Sequence, residues 1–468
     1  MLRVNVNKLV TRHSAVVGTT GSGKSTTVAG LVARLSDGSR FKSARILMLD
    51  IHGEYGAAFK GVANVFRVNP DLASGERPLH IPFWALNFDE LLPLTFGNLD
   101  DVARGRVIDW ITDHKRQRVS SGLLPGLDPN WVTVDTPLPF SLNKLWHELR
   151  WEIDATYPRG QDQTRSNAKL EDSGDAEKLI PARFAAFDGQ NAVQSRSTLN
   201  IRRQLEVLSS RLRDPRFQFL FAPGACTPDL SGTPSADLDS VLSGWLGSGG
   251  ATSRPVTILD LSGIPSSVLS DLVGALLRLL FDALFWGRNL AEGGRERPLL
   301  VVMEEAHAYL TDPDSTASLA VKRIVKEGRK YGLGAMIVSQ RPSEIDPTIL
   351  SQCGTFFALR MGNAQDRGHV SSATSDSLKG LLDLLPTLRT GEAIIVGEAV
   401  HLPTRAMIHR PPIGQLPNSE DPLVVEIEFG PGESGPGGWD RNPELTDYSD
   451  LVDSWRKQDS SSPKIIKS

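Results

Sequence analysis

The chain has 468 residues, 40% of them hydrophobic, and a formal net charge of −4 from 51 Lys+Arg and 55 Asp+Glu. That length holds one large α/β domain with insertions, or two to three domains, and the charge excludes a globally basic nucleic-acid binder while leaving room for a channel with local positive charge. Two cysteines, Cys226 and Cys353, suit a reducing compartment, and the lack of a signal-peptide core or an apolar run of about 18 residues gives a cytoplasmic chain with no membrane partner as the expectation.

The first predicted strand is Ala15-Val16-Val17, and a helical pattern opens after it at Thr26. Between them lies Gly18-Thr19-Thr20-Gly21-Ser22-Gly23-Lys24-Ser25, which fits the P-loop pattern G-x-x-x-x-G-K-[ST] at every fixed position. Glycines let the backbone curl around phosphate oxygens with its N–H groups inward. The helix that follows adds the positive end of its dipole. Lys24 reaches toward the β- and γ-phosphates and the Ser25 hydroxyl toward Mg²⁺, so residues 18–26, Thr26 included, form the expected ATP site. A second strand, 45–49, ends in Asp50-Ile51-His52-Gly53-Glu54. Asp50 and Glu54 either support the metal shell or serve as structural acids of the loop.

From about residue 85 to 250 the strand–helix alternation breaks, and helical stretches at 102–119 and 197–212 are separated by polar loops. This region reads as a mostly helical insertion, and its polar segment 159–175 has too few apolar residues to bury much surface. It also holds the basic patches: His114-Lys115-Arg116-Gln117-Arg118, and Arg196, Arg202, Arg203, Arg211, Arg213 and Arg216. These arginines would meet DNA phosphates or form solvated and ion-paired helix faces.

Strand–helix alternation resumes near Pro255, with a strand at 256–261 and a long helix at 266–286. The apolar run Pro298 to Met303 then leads directly into Glu304-Glu305-Ala306-His307. Two carboxylates at the carboxyl end of a buried strand lie where open α/β sheets bind ligands. Glu304 takes the Mg²⁺-side role, where Asp is usual, and Glu305 the role of base for the attacking water. The strand from Gly334 to Ser339 ends in Gln340, placed to sense the γ-phosphate, and Arg329 in Glu327-Gly328-Arg329-Lys330 offers a planar fork for a phosphate. Further strands at 355–359 and 393–396 complete a mostly parallel sheet. The Pro-, Gly- and acid-rich tail from Pro412 reads as flexible in isolation.

Taken together, G-T-T-G-S-G-K-S, L-D-I-H-G-E-Y, M-E-E-A-H, E-G-R-K-Y-G-L-G, S-Q-R-P-S-E-I-D-P and S-Q-C-G-T-F-F-A-L-R resemble the HerA branch of the HerA–FtsK ATPases, in the right order. The expected fold is α/β, a P-loop NTPase (RecA-like) core with a mostly parallel sheet, plus the helical insertion and the flexible tail. The domain bounds are 1–84 and 251–411 for the core, 85–250 for the insertion and 412–468 for the tail. The resemblance implies a homohexameric ring that moves double-stranded DNA with a partner nuclease, in end resection or anti-phage defence. It also implies that Arg329 serves a neighbouring subunit. Members of this branch usually carry a small β-barrel before the P-loop, whereas here the P-loop begins at Gly18. Two other readings stay open: a conjugation or protein-transport ATPase, and an ATP-controlled scaffold for an effector nuclease or NAD-consuming enzyme.

Overall fold

A computed structural model describes residues 3–120, 126–189, 191–247, 254–374, 379–412, 414–418 and 445–457. In chain order the core begins with α1 (Val6–Thr11), β1 (Ser14–Val17), α2 (Lys24–Leu35), β2 (Ile46–Asp50), β3 (Ala63–Arg67) and β4 (Arg77–Pro78). The insertion holds α3 (Phe88–Thr95), α4 (Asp101–Ser120), α5 (Leu142–Asp154), β5 (Thr156–Tyr157), β6 (Leu170–Asp172), β7 (Arg183–Phe184), β8 (Val193–Gln194), α6 (Arg202–Arg213), α7 (Gln218–Phe221) and α8 (Leu238–Leu246). After it come β9 (Val256–Asp260), α9 (Ser266–Trp286), β10 (Leu299–Met303), α10 (Thr316–Glu327), β11 (Leu333–Ser339), α11 (Pro347–Ser351) and β12 (Thr355–Leu359). The remaining elements are α12 (Ala364–Ser372), α13 (Lys379–Leu382), β13 (Glu392–Gly397), β14 (Thr404–Met407) and α14 (Leu445–Lys457).

The core is one sheet in the order β14-β13-β12-β1-β11-β10-β2-β9-β3-β4. Pairing is parallel from β12 through to β4, and antiparallel at β12–β13 and β13–β14. All residues of β1, β2, β9, β10, β11 and β12 are buried. That is why their sequences read as unbroken apolar runs: a parallel strand is covered on both faces. Strand 393–396 was expected as one more member of a mostly parallel sheet. It lengthens to Glu392–Gly397 and runs antiparallel to β12, and the hairpin that follows adds β14 as a second antiparallel partner.

The contacts divide the chain into two units, residues 1–79, 245–264 and 280–468 in one, and 80–244 with 265–279 in the other. The first boundary therefore falls before Ala85. The Ile81 N–H donates to the Phe219 carbonyl at 2.9 Å, and Trp84 Nε1 to the Cys226 carbonyl at 3.0 Å. The second unit also takes most of α9, where Arg278 Nε meets Glu90 Oε1 at 2.6 Å with both side chains largely buried. Within the insertion, the helix expected over 197–212 starts only at Arg202. Before it, Ser195 and Ser197 hydroxyls accept the backbone N–H groups of Ser197 and Leu199, a local alternative to helix that serine offers. The segment 159–175 carries a short 3₁₀ turn at Arg165–Asn167 and the edge strand β6, paired with β7. Most of the tail expected to be flexible, 419–444 and 458–468, lies outside the described residues.

The inner strands leave no room for added atoms on the α1 side. A Cβ on Gly334 would lie 1.5 Å from the Val10 carbonyl oxygen. Gly334→Ala should therefore force α1 off β11 and destabilise the protein by about 1–3 kcal/mol, the usual cost of overpacking. Urea unfolding checks this: an unchanged midpoint would mean that α1 does not need its observed seat.

Candidate active site

The site is assembled at the carboxyl edge of the parallel strands. β1 ends at Val17 and α2 begins at Lys24, leaving Gly18 to Gly23 as the connecting loop. Gly21 and Gly23 adopt φ of 69° and 96°, a region that L side chains avoid. Gly18 is required for space instead: a Cβ there would lie 2.7 Å from Ser22 Oγ. The loop is held from the β12–β13 side. The Thr19 N–H and hydroxyl donate to the Arg360 carbonyl at 3.0 and 3.1 Å. The Thr390 hydroxyl donates to the Gly21 carbonyl at 3.1 Å, and the Gly391 N–H to the Ser22 carbonyl at 2.9 Å. Thr390 and Gly391 carried no motif that would single them out; their part is set by the antiparallel turn into β13.

Lys24 is buried, and its Nζ donates to the Thr19 carbonyl at 3.2 Å. Burial lowers its pKa, and the charges of Glu305, Glu304 and Glu54 oppose that shift. Ser25 and Thr26 lie in the first turn of α2. Ser22 Oγ is buried without a hydrogen-bond partner.

At the end of β10, Glu304 and Glu305 are 2% and 6% exposed. Burial, then the neighbouring Glu305 charge, pushes the Glu304 pKa up to about 8. The Tyr55 hydroxyl faces both the Glu304 carboxyl and the Ser25 hydroxyl. It is not aligned as a hydrogen bond with either, and Glu304 Oε2 is likewise unpartnered. Glu305 sits at φ 42°, ψ 48°, a left-handed conformation costing roughly 1–2 kcal/mol outside glycine. Such strain is retained where the surroundings over-determine it. Here it leaves the carboxylate against β11: Gln340 Nε2 donates to Glu305 Oε1 at 2.5 Å, and the Thr20 hydroxyl donates to Gln340 Oε1. The structure thus joins the P-loop, Gln340 and Glu305 in one hydrogen-bonded chain.

The loop after β2 separates the two acids expected there. Asp50 is fully buried and accepts the N–H groups of Gly53 and Tyr55, both at 2.9 Å, with those of His52 and Glu54 at 3.3 Å. Burial raises its pKa to about 6 against those bonds. Asp50 is therefore spent on folding the loop. Glu54, half-buried, lies near the Ser25 hydroxyl and the Lys24 charge and so does face the site.

Arg329 is not brought to this site. It is exposed in the turn Gly328–Tyr331, just before β11 begins. The seven residues of β11 put it roughly 20 Å or more from the strand ends at which Gln340 lies. Arg341 pairs with Glu344 at 2.8 Å, whereas Arg360 reaches back to the Gly21 carbonyl at 3.4 Å. Among the described residues, no group of three or more His, Cys, Asp or Glu could hold a metal by itself, so a cation here would share its shell with phosphate and water, as Mg²⁺ commonly does.

The basic patches of the insertion are mostly occupied within it. Lys115 Nζ donates to the Val134 and Thr136 carbonyls at 2.6 and 2.7 Å, and burial lowers its pKa to about 7. Arg118 donates to the Pro139 carbonyl at 3.1 Å and Arg213 to the Leu179 carbonyl at 2.8 Å, while Arg211 donates to the Pro93 carbonyl. Arg202 pairs with Asp154 at 2.6 Å and Arg216 with Asp214 at 2.7 Å. Packing, not a phosphate track, accounts for these residues; sequence could not show it, because their acceptors are mainly backbone carbonyls.

Residues 1–280 match the family model "Helicase HerA, central domain". The curated DNA double-strand break repair helicase HerA of Saccharolobus solfataricus is 26% identical over 404 residues, spanning 86% of this chain and 65% of that one. The protein of the same name from Sulfurisphaera tokodaii is 26% identical over 435 residues, spanning 91% and 70%. The chain thus spans about two thirds of the length of these relatives. Among solved structures, VirB4 of Thermoanaerobacter pseudethanolicus aligns over 86% of this chain and 90% of that one, at 15% identity and a TM-score of 0.49. With more than half of the chain matched, P-loop and Asp50–Tyr55 loop included, this protein belongs to the family of the HerA helicase central domain.

Proposed function

We propose that this chain hydrolyses Mg²⁺-ATP and uses the turnover to move double-stranded DNA through a homohexameric ring. The observation that carries the hydrolytic part is the Thr20–Gln340–Glu305 chain, which links a phosphate loop to a base through a side chain able to feel the γ-phosphate. Support for DNA as the track comes from membership of the HerA family and from relatives named as double-strand break repair helicases. A partner nuclease or NAD-consuming effector, and work in repair or phage defence, complete the proposal.

The residues fit the nucleotide and its metal. Glu304 is a fully buried carboxyl with an unpartnered oxygen and a raised pKa, an arrangement that a divalent cation would relieve. Ser25 and Glu304 would hold Mg²⁺ and Gly18 to Thr26 the phosphates, with Lys24 exchanging the Thr19 carbonyl for a phosphate oxygen. When bound, Mg²⁺ neutralises charge developing on the transferred phosphoryl group. Glu305 takes the proton of the attacking water, and Gln340 orients that water and reads the γ-phosphate. Arg329, distant from its own P-loop, completes the site of a neighbouring subunit. A scaffold role is the second reading, favoured by the arginines that the insertion spends on its own packing.

Assay of ATP turnover with and without duplex DNA separates the two readings. A motor should be stimulated several-fold; DNA-indifferent hydrolysis that follows a co-purifying partner would instead support the scaffold.

Glu305→Gln should bind nucleotide normally and lose turnover by about 10²–10⁴-fold, the usual worth of a positioned base. Glu304→Gln should weaken the Mg²⁺ dependence of nucleotide binding. Fluorescent-nucleotide titration beside a phosphate-release assay distinguishes them, and the opposite pattern would exchange the two roles.

Arg329→Ala and Lys24→Ala chains should each be inactive alone while remaining folded. Mixed rings should regain part of the ATPase, because some interfaces pair an intact P-loop with an intact arginine. Full activity of Arg329→Ala as a verified oligomer would reduce Arg329 to a surface charge.

A further inference from the structure

After Glu305, the 3₁₀ turn Ala306–Ala308 folds His307 back alongside it. His307 Nδ1 lies 3.3 Å from Glu305 Oε2. The same nitrogen is 3.4 Å from Ser339 Oγ, the fully buried last residue of β11. Ser339 is itself fixed, its Oγ accepting the Arg341 N–H at 3.0 Å. The imidazole is therefore lodged between the acid-bearing strand end and the sensor-bearing strand end.

We propose that His307 is a positioning residue that holds the Glu305 carboxylate in register for taking the proton of the attacking water. This rests on reading Glu305 as the base. A carboxylate only accepts hydrogen bonds, so an imidazole nitrogen beside it is favourable only when that nitrogen carries the proton. The half-buried ring is kept from charging by desolvation, although Glu305 works against that. A neutral ring has one proton to give, and this geometry assigns it to Nδ1.

The two carboxylate oxygens then have different fates. Oε1 is tied to Gln340 Nε2. Oε2 is buried, lacks an aligned hydrogen bond and has Nδ1 as its neighbouring polar nitrogen. When Gln340 turns to the γ-phosphate, Oε1 is freed for the water proton. Without His307 the carboxylate would at that moment lose its last tether and rotate about its side-chain bonds. A small rotation of the Nδ1–H toward Oε2 supplies the tether. The arrangement repeats a general rule: a catalytic base is oriented by a third group that does not touch the substrate.

The test compares His307→Ala, His307→Asn and Glu305→Gln in the full chain under DNA-stimulated or basal conditions alike. An asparagine places an amide N–H close to the position of Nδ1; alanine places nothing there. His307→Ala should lower kcat for ATP by about 10–100-fold, the usual cost of losing such a supporting partner. Its KM for ATP and its affinity for a fluorescent nucleotide should stay within about twofold of the unmodified protein, since outer-shell supports act on geometry more than on binding. His307→Asn should recover most of the lost kcat. A His307→Ala chain with normal kcat, beside an inactive Glu305→Gln chain, overturns the role of His307 and leaves the base assignment standing. So does a His307→Asn chain that folds normally yet is no faster than His307→Ala. A Glu305→Gln chain that turns over ATP normally removes the base itself, and the role of His307 with it.

Discussion

The site depends on β11 pairing in parallel with β1 on one side and β10 on the other. The register sets Val17 beside Ser339 and Met303 beside Ile337. One residue past each strand end, the chain presents Gly18, Gln340 and Glu304 on the same edge. A parallel ladder directs every strand's carboxyl end the same way, so three segments far apart in sequence reach one place. Shifting any of these strands by one residue would turn its side chains to the opposite face, and Gln340 would no longer lie between Thr20 and Glu305. The buried apolar residues of these strands specify that register by packing, and the backbone ladder holds it.

Electrostatics at this edge run against burial. Glu304, Glu305 and Lys24 are all buried within one small volume. Desolvation raises the Glu304 pKa and lowers that of Lys24, so both are pushed toward their neutral forms. Unpartnered atoms gather in the same place: Ser22 Oγ, the Tyr55 hydroxyl, Glu304 Oε2 and Glu305 Oε2. An unsatisfied buried polar atom costs about 1–3 kcal/mol, and Glu305 adds backbone strain. A fold tolerates such a concentration of cost where ligand binding later removes it. Among the described residues, the glutamates beside the P-loop are where polyphosphate and its cation would do so.

Much of this was legible from the sequence, for a physical reason. Fully covered parallel strands must be apolar throughout, so β1, β2, β10 and β11 announced themselves, and the polar residues at their ends stood out as Gly18–Ser25, Glu304, Glu305 and Gln340. What stayed hidden were properties decided by partners. Asp50 and Glu54 look alike in the sequence. Only the closure of the loop shows that four N–H groups claim the first, while the second turns to Ser25. Arg360 and Thr390 support the P-loop mainly through backbone carbonyls, which no motif records. The antiparallel course of β13 is set by its pairing beside β12, not by its own residues.

The cations of the insertion and those beside the P-loop are held differently, and the difference bears on where work is done. In the insertion, Lys115, Arg118 and Arg213 are capped by carbonyl oxygens, and Arg202 and Arg216 by carboxylates. A guanidinium satisfied in this way would have to abandon those bonds to meet a phosphate, at a cost of about 1.5–3 kcal/mol for each charged hydrogen bond lost. In the core, Lys24 holds one carbonyl at 3.2 Å, and Arg360 reaches another only at 3.4 Å. These are weak attachments, readily exchanged for an anion. The net charge of −4 therefore conceals basic residues of different standing: those of the insertion named above are committed to packing, whereas Lys24 and Arg360 beside the P-loop are weakly held.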